Sequence, residues 1–275
     1  MVVEMPDLSG KYGVVTGATS GVGEALVREL TARGARVLFS YNSSVDEAAQ
    51  IGDQTGSSYA ALNLGDPKSI ESFLEVVKAG GPVNYFIANA GVESTGSLVK
   101  QDYDEICRVV GTNQIGNMFL VRGLVVGELM QRGGQIAGIG SIASQGNHDQ
   151  FAYSSSKGGL ASAILAARRD AQVRAQELGL KVFEPPFIRG TKMADRYLKI
   201  IERKGIPNKA RQVGAEADAL INEFRESGYA LDLLPLTVEI LRLTVDPSVT
   251  GVVRIPEGAD LNVMRARFLD DYILE

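Results

Sequence analysis

The chain has 275 residues, of which 45% are hydrophobic and 22% are charged, with 31 glycines and a formal net charge of −5. This length and apolar content suit one domain with a large core, and they exclude a disordered or low-complexity protein. The negative charge argues against nucleic acid as a partner, because phosphate backbones require clustered lysines and arginines.

Cysteine usage and the apolar stretches indicate the compartment. Cys107 is the only cysteine, so no internal disulfide is possible, and a reducing cytoplasm is the expected location. Residues 1–8 contain two acids and no apolar run of signal-peptide length, so secretion is not expected. The apolar stretch 118–130 contains Arg122 and Glu128 and is too short to cross ~30 Å of hydrocarbon. The sequence therefore predicts no membrane span.

Short apolar runs alternate with helical patterns along the chain. The predicted strands are Tyr12–Thr16, Arg36–Ser40, Tyr59–Leu62, Val83–Ala88, Gln135–Gly140, Lys181–Glu184 and Val252–Ile255. The predicted helices lie near Gly23–Ala32, Pro67–Val77, Tyr103–Val110, Asn113–Gln131 and Tyr153–Leu178. Parallel strands need crossover helices, so this alternation predicts a single α/β domain over residues 1–275: a Rossmann-type, doubly wound, seven-stranded parallel sheet with helices on both faces.

The polar motifs fall at the carboxyl ends of the predicted strands. Thr16-Gly17 ends the first strand, Asn89-Ala90-Gly91 the fourth and Ser141 the fifth, and Pro185 follows the sixth. Ligands of doubly wound sheets bind beyond these ends, where the strand order reverses. The stretch from Thr16 to Gly23 also joins a strand to a helix with glycines spaced G-x-x-x-G-x-G, which lets the backbone approach a pyrophosphate. Glycines also close ordinary tight turns, so this motif alone is moderate support for a dinucleotide site.

Tyr153 and Lys157 are four residues apart, a spacing that places both on one face of a helix. A free phenol ionises near pH 10, and an adjacent ammonium is expected to lower its pKa towards the range of general acid–base catalysis. The pair also occurs by chance in amphipathic helices. Its position after the glycine turn, Asn89-Ala90-Gly91, Asn113 and Ser141 favours the catalytic interpretation.

These ordered motifs resemble the short-chain dehydrogenase/reductase family over nearly the whole chain. T-G-x-x-x-G-x-G is matched at 16–23, N-A-G at 89–91 and Y-x-x-x-K at 153–157, and the subgroup resembled is that of compact ketoreductases. The resemblance implies a catalytic set of Asn113, Ser141, Tyr153 and Lys157. It implies cofactor contacts at Gly17, Thr19, Ser20, Gly21, Val22, Gly23, Tyr41, Asn42, Ser43, Asn63, Leu64, Asn89, Ala90, Gly91, Tyr153, Lys157, Pro185, Ile188 and Thr191.

The resemblance also implies roles. Tyr153 would exchange the proton, and Ser141 would bind the substrate oxygen. Lys157 would also hold the nicotinamide ribose, and Asn113 would anchor a water on the proton path. Donors aimed at the oxygen of a carbonyl that accepts a hydride stabilise the transition state.

The segment after the second strand favours NADP(H) over NAD(H). It reads Ser40-Tyr41-Asn42-Ser43-Ser44, without the acid that binds both ribose hydroxyls of NAD and repels a 2′-phosphate. It also contains no arginine to bind that phosphate, and the same residues suit an ordinary turn.

The sequence departs from the family pattern at three places, which bear on the nicotinamide-side geometry and the substrate preference. Asn63 replaces an adenine-contacting aspartate, although an asparagine also offers a hydrogen bond. Pro185-Pro186 replaces Pro-Gly, and Pro256-Glu257-Gly258-Ala259 replaces Asp-Gly-Gly.

A substrate lid is expected at about 189–231. Its first half, 189–211, is rich in lysine and arginine, which suggests an anionic substrate or an acidic carrier such as acyl-CoA or an acyl carrier protein. Acids in the second half could instead pair with these cations across a helical hairpin, and this alternative is favoured. His148, the only histidine, is expected at the pocket rim without a chemical role, and one histidine does not suggest a metal site.

The sequence thus predicts an NADP(H)-dependent oxidoreductase that transfers a hydride between nicotinamide and a ketone or secondary alcohol, with a 3-oxoacyl thioester as first candidate. The alternatives are an NAD-dependent dehydrogenase of a sugar, steroid or polyol, and a non-catalytic dinucleotide sensor or scaffold.

By resemblance, a homodimer or homotetramer is expected, with its interface formed by the helices at Asn113 and Tyr153. Ala161, Ala163, Ala166 and Ala167 would allow close approach there, or would pack on the sheet instead. Cys107 is expected to be a small buried residue.

Overall fold

The computed structural model describes residues 6–94, 96, 98–147, 150–185, 187–189, 191 and 230–254. The strands are β1 Tyr12–Val15, β2 Arg36–Tyr41, β3 Ser58–Ala61, β4 Val83–Ala88, β5 Met130–Ile139, β6 Gly179–Glu184, β7 Phe187–Arg189, β8 Ala230–Asp232 and β9 Gly251–Arg254. The helices are α1 Gly21–Ala32, α2 Val45–Thr55, α3 Pro67–Ala79, α4 Tyr103–Val110, α5 Asn117–Val126, α6 Phe151–Ala167, α7 Ala171–Ala175 and α8 Leu233–Val245.

Seven parallel strands form the central sheet in the order β3-β2-β1-β4-β5-β6-β9. The chain builds outwards from β1 to β3, returns to the centre, and then continues from β4 to β9 in the opposite direction. This confirms the predicted doubly wound sheet. The strand order reverses between β1 and β4, so the crevice at their carboxyl ends is where such folds bind ligands.

Alternating side chains of the central strands supply two separate cores. On β4, Phe86 packs into the core that contains residues of α3, α5 and α6, whereas its neighbour Ile87 packs into the core with α1 and α8. Val182 and Phe183 divide in the same way on β6. Successive strand residues point to opposite faces, so helices must cover both sides of the sheet.

Two predicted helices end earlier than expected. The helix expected over 113–131 stops at Val126, because Gly127 and the positive φ of Glu128 (52°) turn the chain, and Met130 already pairs with Val83 in the sheet. The helix expected over 153–178 stops at Ala167, and Asp170 then caps the separate short helix α7 through a bond from Gln172 N.

Two helices lacked a prediction. Helix α2 begins after Ser44 with two acids in its first turn and ends at Gly56, whose φ is +70°. These are ordinary helix boundary signals. Helix α8 packs against α1 on the second core, and its leucine-rich sequence lies beyond the expected lid.

The two ends of the predicted lid pair with each other as neighbouring strands. Strand β7 pairs in parallel with β8, and this places Phe187 beside Ala230 and Arg189 beside Asp232. Most of the lid, residues 192–229, lies outside the described residues, and so does most of the basic segment 189–211 that suggested an anionic substrate.

The expectation for Cys107 is wrong. Its side chain is exposed on α4, because the buried residue of that helix is Val109, which faces the body of the protein.

In the described ranges, no helix is long and apolar enough to cross a membrane, and no cluster of three or more potential metal ligands is present.

Lys181 lies fully buried on β6, although a lysine is rarely buried without partners. Its ammonium donates to the carbonyl oxygens of Leu243 (3.0 Å), Thr244 (3.1 Å) and Asp246 (2.7 Å). These carbonyls lie at and just beyond the C-terminus of α8, where a positive charge is favourable. The lysine thus connects α8 to the sheet.

Burial lowers the pKa of Lys181 from 10.5 to about 8, although the charge of Asp246 acts in the opposite direction. The unfolded chain therefore binds more protons than the folded chain between about pH 8 and 10.5, so Lys181 adds stability as the pH rises through this window. We expect the free energy of unfolding of the wild type to increase relative to that of Lys181→Met from pH 8 to 10.5, measured by urea denaturation. Lys78→Met, on the exposed side of α3, should follow the wild type; parallel curves for Lys181→Met would contradict the assignment.

Candidate active site

The glycine turn between β1 and α1 is shaped by close backbone approaches. Gly17 has a φ of +64°, and a Cβ there would lie 2.7 Å from Cα of Ala90. A Cβ at Gly23 would lie 2.5 Å from Nδ2 of Asn89. Gly21 has a φ of +58°, a conformation that favours glycine. Gly17 and Gly23 are therefore required by the packing of this turn against Asn89 and Ala90, and Gly21 by its backbone conformation.

Hydrogen bonds join this turn to the end of β4. Thr16 Oγ1 accepts from the backbone N–H groups of Asn89 (3.1 Å) and Ala90 (3.0 Å). In return, Asn89 Nδ2 donates to the carbonyl oxygens of Thr16 and Gly17, both at 2.9 Å. Ser40 Oγ, at the end of β2, accepts from Gly17 N at 3.0 Å. The ends of β2, β1 and β4 thus form one rigid edge.

The start of α1 suits an anion. Ser20 precedes the helix in an extended conformation and makes no capping hydrogen bond with its side chain, so it does not occupy the N–H groups of the first turn. Thr19, Ser20, Gly21 and Val22 surround this helix N-terminus, where the backbone favours a phosphate group. The predicted pyrophosphate site is consistent with this geometry.

The residues predicted to contact the adenosine half lie at the ends of β2 and β3. Tyr41 ends β2, with its ring edge-on to Tyr59 at 6.0 Å, and Asn42 and Ser43 follow on the surface. Asn63 is exposed, and its Oδ1 accepts from Gly65 N at 2.9 Å, which leaves its amide nitrogen as the donor for a ligand. Leu64 is buried in the core.

Asn113 lies fully buried in a single turn of π-helix, Gly111–Gly116, between α4 and α5. Its Oδ1 accepts from Val92 N (2.7 Å), and its Nδ2 donates to Val92 O (2.8 Å) and Ser156 Oγ (3.1 Å). π-Turns inside helices often mark functional sites. The amide of Asn113 thus connects the loop after Asn89-Ala90-Gly91 to α6.

Ser141, Tyr153 and Lys157 converge beside this asparagine. Ser141 follows β5, and its hydroxyl accepts from Ala143 N at 3.1 Å and hydrogen-bonds Tyr153. Lys157 Nζ lies 5.7 Å from the centre of the Tyr153 ring and donates to Ile139 O at 2.8 Å. A Cβ on Gly91 would lie 3.1 Å from Asn113 Oδ1 and 3.4 Å from Lys157 Nζ. The structure therefore brings together the four residues predicted to be catalytic.

The expected lowering of the Tyr153 pKa is wrong. Burial raises it to about 12, the hydrogen bond from Ser141 lowers it, and the negative charge of Glu93 raises it. Burial also lowers the pKa of Lys157 to about 8. Desolvation disfavours both charged forms, and the ammonium is directed at the Ile139 carbonyl, so burial outweighs the expected effect of the lysine.

The far side of the crevice is formed after β6. The carbonyl oxygen of Pro185 accepts from Ile142 N at 3.1 Å, next to Ser141. Ile188 packs against the second core, and its carbonyl oxygen accepts from Thr191 Oγ1 at 3.0 Å. The Thr191 methyl would lie 3.5 Å from a Cβ on Gly21. Thr191 therefore lies over the glycine turn, and its role as a cofactor contact stays a prediction. His148 lies outside the described residues.

Sequence reasoning missed several supporting residues. Ser156 is fully buried, donates to Tyr153 O at 2.7 Å and accepts from Asn113. Asn117, also buried, donates to Ala90 O (3.3 Å) and Asn113 O (3.0 Å). Glu93 acts on Tyr153 through its charge. The spacing could have indicated two of these residues. Ser156 lies three residues after Tyr153 and Asn117 lies four after Asn113, so each polar side chain is on the same helical face as a predicted catalytic residue.

Comparisons with known proteins agree with this geometry. The family model for short chain dehydrogenases matches residues 11–199. The 3-oxoacyl-acyl-carrier-protein reductase FabG of Salmonella typhimurium is 34% identical over 183 residues, which are 65% of this chain and 74% of that protein. The 3-oxoacyl-acyl-carrier-protein reductase of Bos taurus is 28% identical over 252 residues, 90% of this chain and 97% of that protein.

Among solved structures, a short chain dehydrogenase from Burkholderia cenocepacia J2315 in complex with NADP superposes with a TM-score of 0.75. Its sequence identity is 22%, and the match covers 92% of this chain and 99% of that chain. The chain belongs to the short-chain dehydrogenase/reductase family and is an oxidoreductase of that family.

Gly23→Ala tests the packing of the glycine turn. The added methyl group would meet Asn89 Nδ2 at 2.5 Å and Gly17 O at 2.6 Å, so we expect a loss of about 2 kcal/mol in stability, as for other overpacked sites, and weaker NADPH binding. Urea denaturation and NADPH fluorescence titration measure the two effects. Gly111→Ala is the control, since a Cβ there has no described atom within 4 Å; equal behaviour of the two variants would contradict the prediction.

Proposed function

We propose that the protein is an NADP(H)-dependent carbonyl reductase, with Tyr153 as the proton donor to a ketone. The observation that carries this proposal is the convergence of Ser141, Tyr153 and Lys157 at the sheet edge bordered by the glycine turn. When bound, the nicotinamide supplies the hydride.

Side chains of the protein bind the substrate oxygen and supply the proton. The hydroxyls of Ser141 and Tyr153 are hydrogen-bonded to each other, so a carbonyl oxygen placed between them would receive a bond from each. As hydride reaches the carbon, negative charge develops on this oxygen, and the Tyr153 proton neutralises it. Lys157, whose ammonium lies on the same face of α6, stabilises the phenolate that remains.

The protonation state of Tyr153 suits a proton donor. With its pKa raised to about 12 by burial, Tyr153 holds its proton at physiological pH. The preference for NADP(H) favours reduction of a carbonyl as the direction in the cell.

The cofactor preference rests on the end of β2. Asn42 and Ser43 are exposed and uncharged, so this segment does not repel a 2′-phosphate. The Burkholderia structure contains NADP, and this supports the same preference. The amide nitrogen of Asn63 is a candidate adenine donor.

The substrate we propose is a 3-oxoacyl thioester, carried on acyl carrier protein or CoA. The Salmonella and Bos relatives, which are both 3-oxoacyl-acyl-carrier-protein reductases, support this choice. The basic segment 189–211 offers charge complementary to an acidic carrier.

We further propose that the protein is a homodimer or homotetramer in the cytoplasm. Exposed Ile115 and Met118, on the helical run through Asn113, support self-association, which sedimentation of the intact protein measures.

Tyr153→Phe separates an enzyme from a dinucleotide sensor. We expect turnover of a 3-oxoacyl thioester to fall by about 100-fold or more, because the proton donor is lost, while NADPH binding stays within about twofold. NADPH absorbance during turnover and fluorescence titration measure the two quantities. Tyr103→Phe, at an exposed tyrosine of α4, should retain wild-type rates. Unchanged turnover in Tyr153→Phe would remove the proposed function.

Asn42→Asp tests the cofactor preference with a nearly isosteric change on the surface. The new carboxylate should repel the 2′-phosphate and accept from a 2′-hydroxyl, so the ratio of kcat/KM for NADPH to that for NADH should fall about tenfold or more. Asn42→Ala is the control for loss of the amide alone. An equal fall in both variants would show that charge at this position does not choose the cofactor.

A further inference from the structure

Helix α6, which carries Tyr153, begins without a cap from the residue before it. The first N–H groups of a helix have no partner within the helix, and a side chain at its start usually accepts from them. Gln150 precedes α6 with a φ of −131° and makes no such bond, because its side-chain oxygen accepts from Asn147 Nδ2 at 2.8 Å instead. Tyr153 is the third residue of α6, so the order of this first turn decides where the phenol lies.

Gln101 supplies a cap from the loop that precedes α4. Its Oε1 accepts from the backbone N–H of Ala152, the second residue of α6, at 3.1 Å. Its Nε2 donates to the carbonyl oxygen of Gly96 at 2.8 Å, and Gly96 forms a parallel bridge with Gln150. The two bonds fix the orientation of the amide, because its oxygen must face the N–H group and its nitrogen must face the carbonyl. Gln101 thus takes the place of an N-cap, although it lies about fifty residues away in the sequence.

The capped turn also packs against the segment that carries Ser141. Ala152 is buried and shares a small apolar cluster with Tyr153, Ala143 and Val109. Ala143 lies in the short turn that starts at Ser141, and its backbone N–H donates to the Ser141 hydroxyl at 3.1 Å. A shift of Ala152 would therefore move Tyr153 relative to Ser141, the other hydroxyl that faces the substrate oxygen.

The second turn of α6 has anchors of its own. Asn113 Nδ2 donates to Ser156 Oγ at 3.1 Å, and Lys157 Nζ donates to a carbonyl oxygen of β5 at 2.8 Å. These bonds do not involve Gln101, so loss of its cap should loosen Tyr153 while Lys157 stays in place. The effect should therefore fall on proton transfer and not on binding of the dinucleotide.

We propose that Gln101 is a positioning residue for catalysis, which caps α6 across the fold and thereby holds the Tyr153 hydroxyl where it delivers its proton. This inference rests on the proposed function. Proton transfer requires the donor oxygen within hydrogen-bond reach of the acceptor, and a frayed first turn would spread the phenol over several positions. Small displacements of a reacting group have large effects on rate. Gln101 acts on the phenol through the backbone of α6.

Two substitutions separate the cap from the bulk of the side chain. Gln101→Met keeps the size and removes both hydrogen bonds, whereas Gln101→Glu keeps an oxygen for Ala152 N and adds a negative charge that suits a helix N-terminus. With acetoacetyl-CoA and NADPH, we expect kcat to fall about tenfold in Gln101→Met, while the dissociation constant of NADPH stays within about twofold. Gln101→Glu should keep kcat within about threefold of the wild type.

The matched control is Gln172→Met. Gln172 is a partly buried glutamine beyond the other end of α6, where its amide donates to Val125 O at 3.4 Å. This variant should keep the wild-type kcat. A purely structural role for Gln101 would lower the melting temperature of Gln101→Met and leave kcat unchanged below the unfolding transition, and that result would overturn the inference. An equal loss of kcat in Gln101→Met and Gln101→Glu would also overturn it.

Hydrogen exchange follows the cap without any turnover. We expect the backbone amides at the start of α6 to exchange faster in Gln101→Met than in the wild type, and at the wild-type rate in Gln101→Glu, measured by mass spectrometry of the peptide that contains Ala152 and Tyr153. Exchange that is unchanged in Gln101→Met would contradict the cap itself. Absence of acetoacetyl-CoA reduction by the wild type, with faster exchange in Gln101→Met, would instead overturn the proposed function and support the cap.

Discussion

The active site depends on the hydrogen bonds that join the end of β1 to the end of β4. Thr16 and Gly17 receive four hydrogen bonds from Asn89 and Ala90 across the point where the strand order reverses. Gly17 and Gly23 have no room for a side chain because this joint is so close. The joint holds the glycine turn in place and sets the start of the loop that leads through Gly91 to Asn113. These hydrogen bonds thus position both the crevice at the strand ends and Asn113, one of the residues predicted to be catalytic.

Burial determines the chemistry of the catalytic pair more than the attraction between a lysine and a phenol. Both side chains are almost fully enclosed, and loss of solvent favours the neutral form of each. The result is a tyrosine that keeps its proton, next to a lysine that gives up its charge more readily than usual. Such a pair is prepared to donate a proton to a substrate oxygen. The negative charge of Glu93 also raises the pKa of Tyr153.

Local patterns predicted the strands well, because apolar runs bounded by glycine and polar residues leave few alternatives for a buried parallel strand. Local patterns failed where the end of a helix or the burial of a side chain depends on contacts with another segment of the chain. Met130 and Gln131 read as the end of a helix, yet Met130 pairs with Val83 on β4. Cys107 reads as an interior residue in a helical pattern, but the face of α4 that is covered is the one with Val109.

The sequence alone determined the parallel doubly wound sheet and the glycine turn. It also singled out Asn113, Ser141, Tyr153 and Lys157 as the predicted catalytic residues, since each of these inferences depends on spacing or on order along the chain. The tertiary structure alone decided the protonation of Tyr153 and Lys157 and the burial of Lys181 on β6 against the end of α8. These depend on distance and solvent exclusion between segments far apart in sequence, and periodicity carries no information about either.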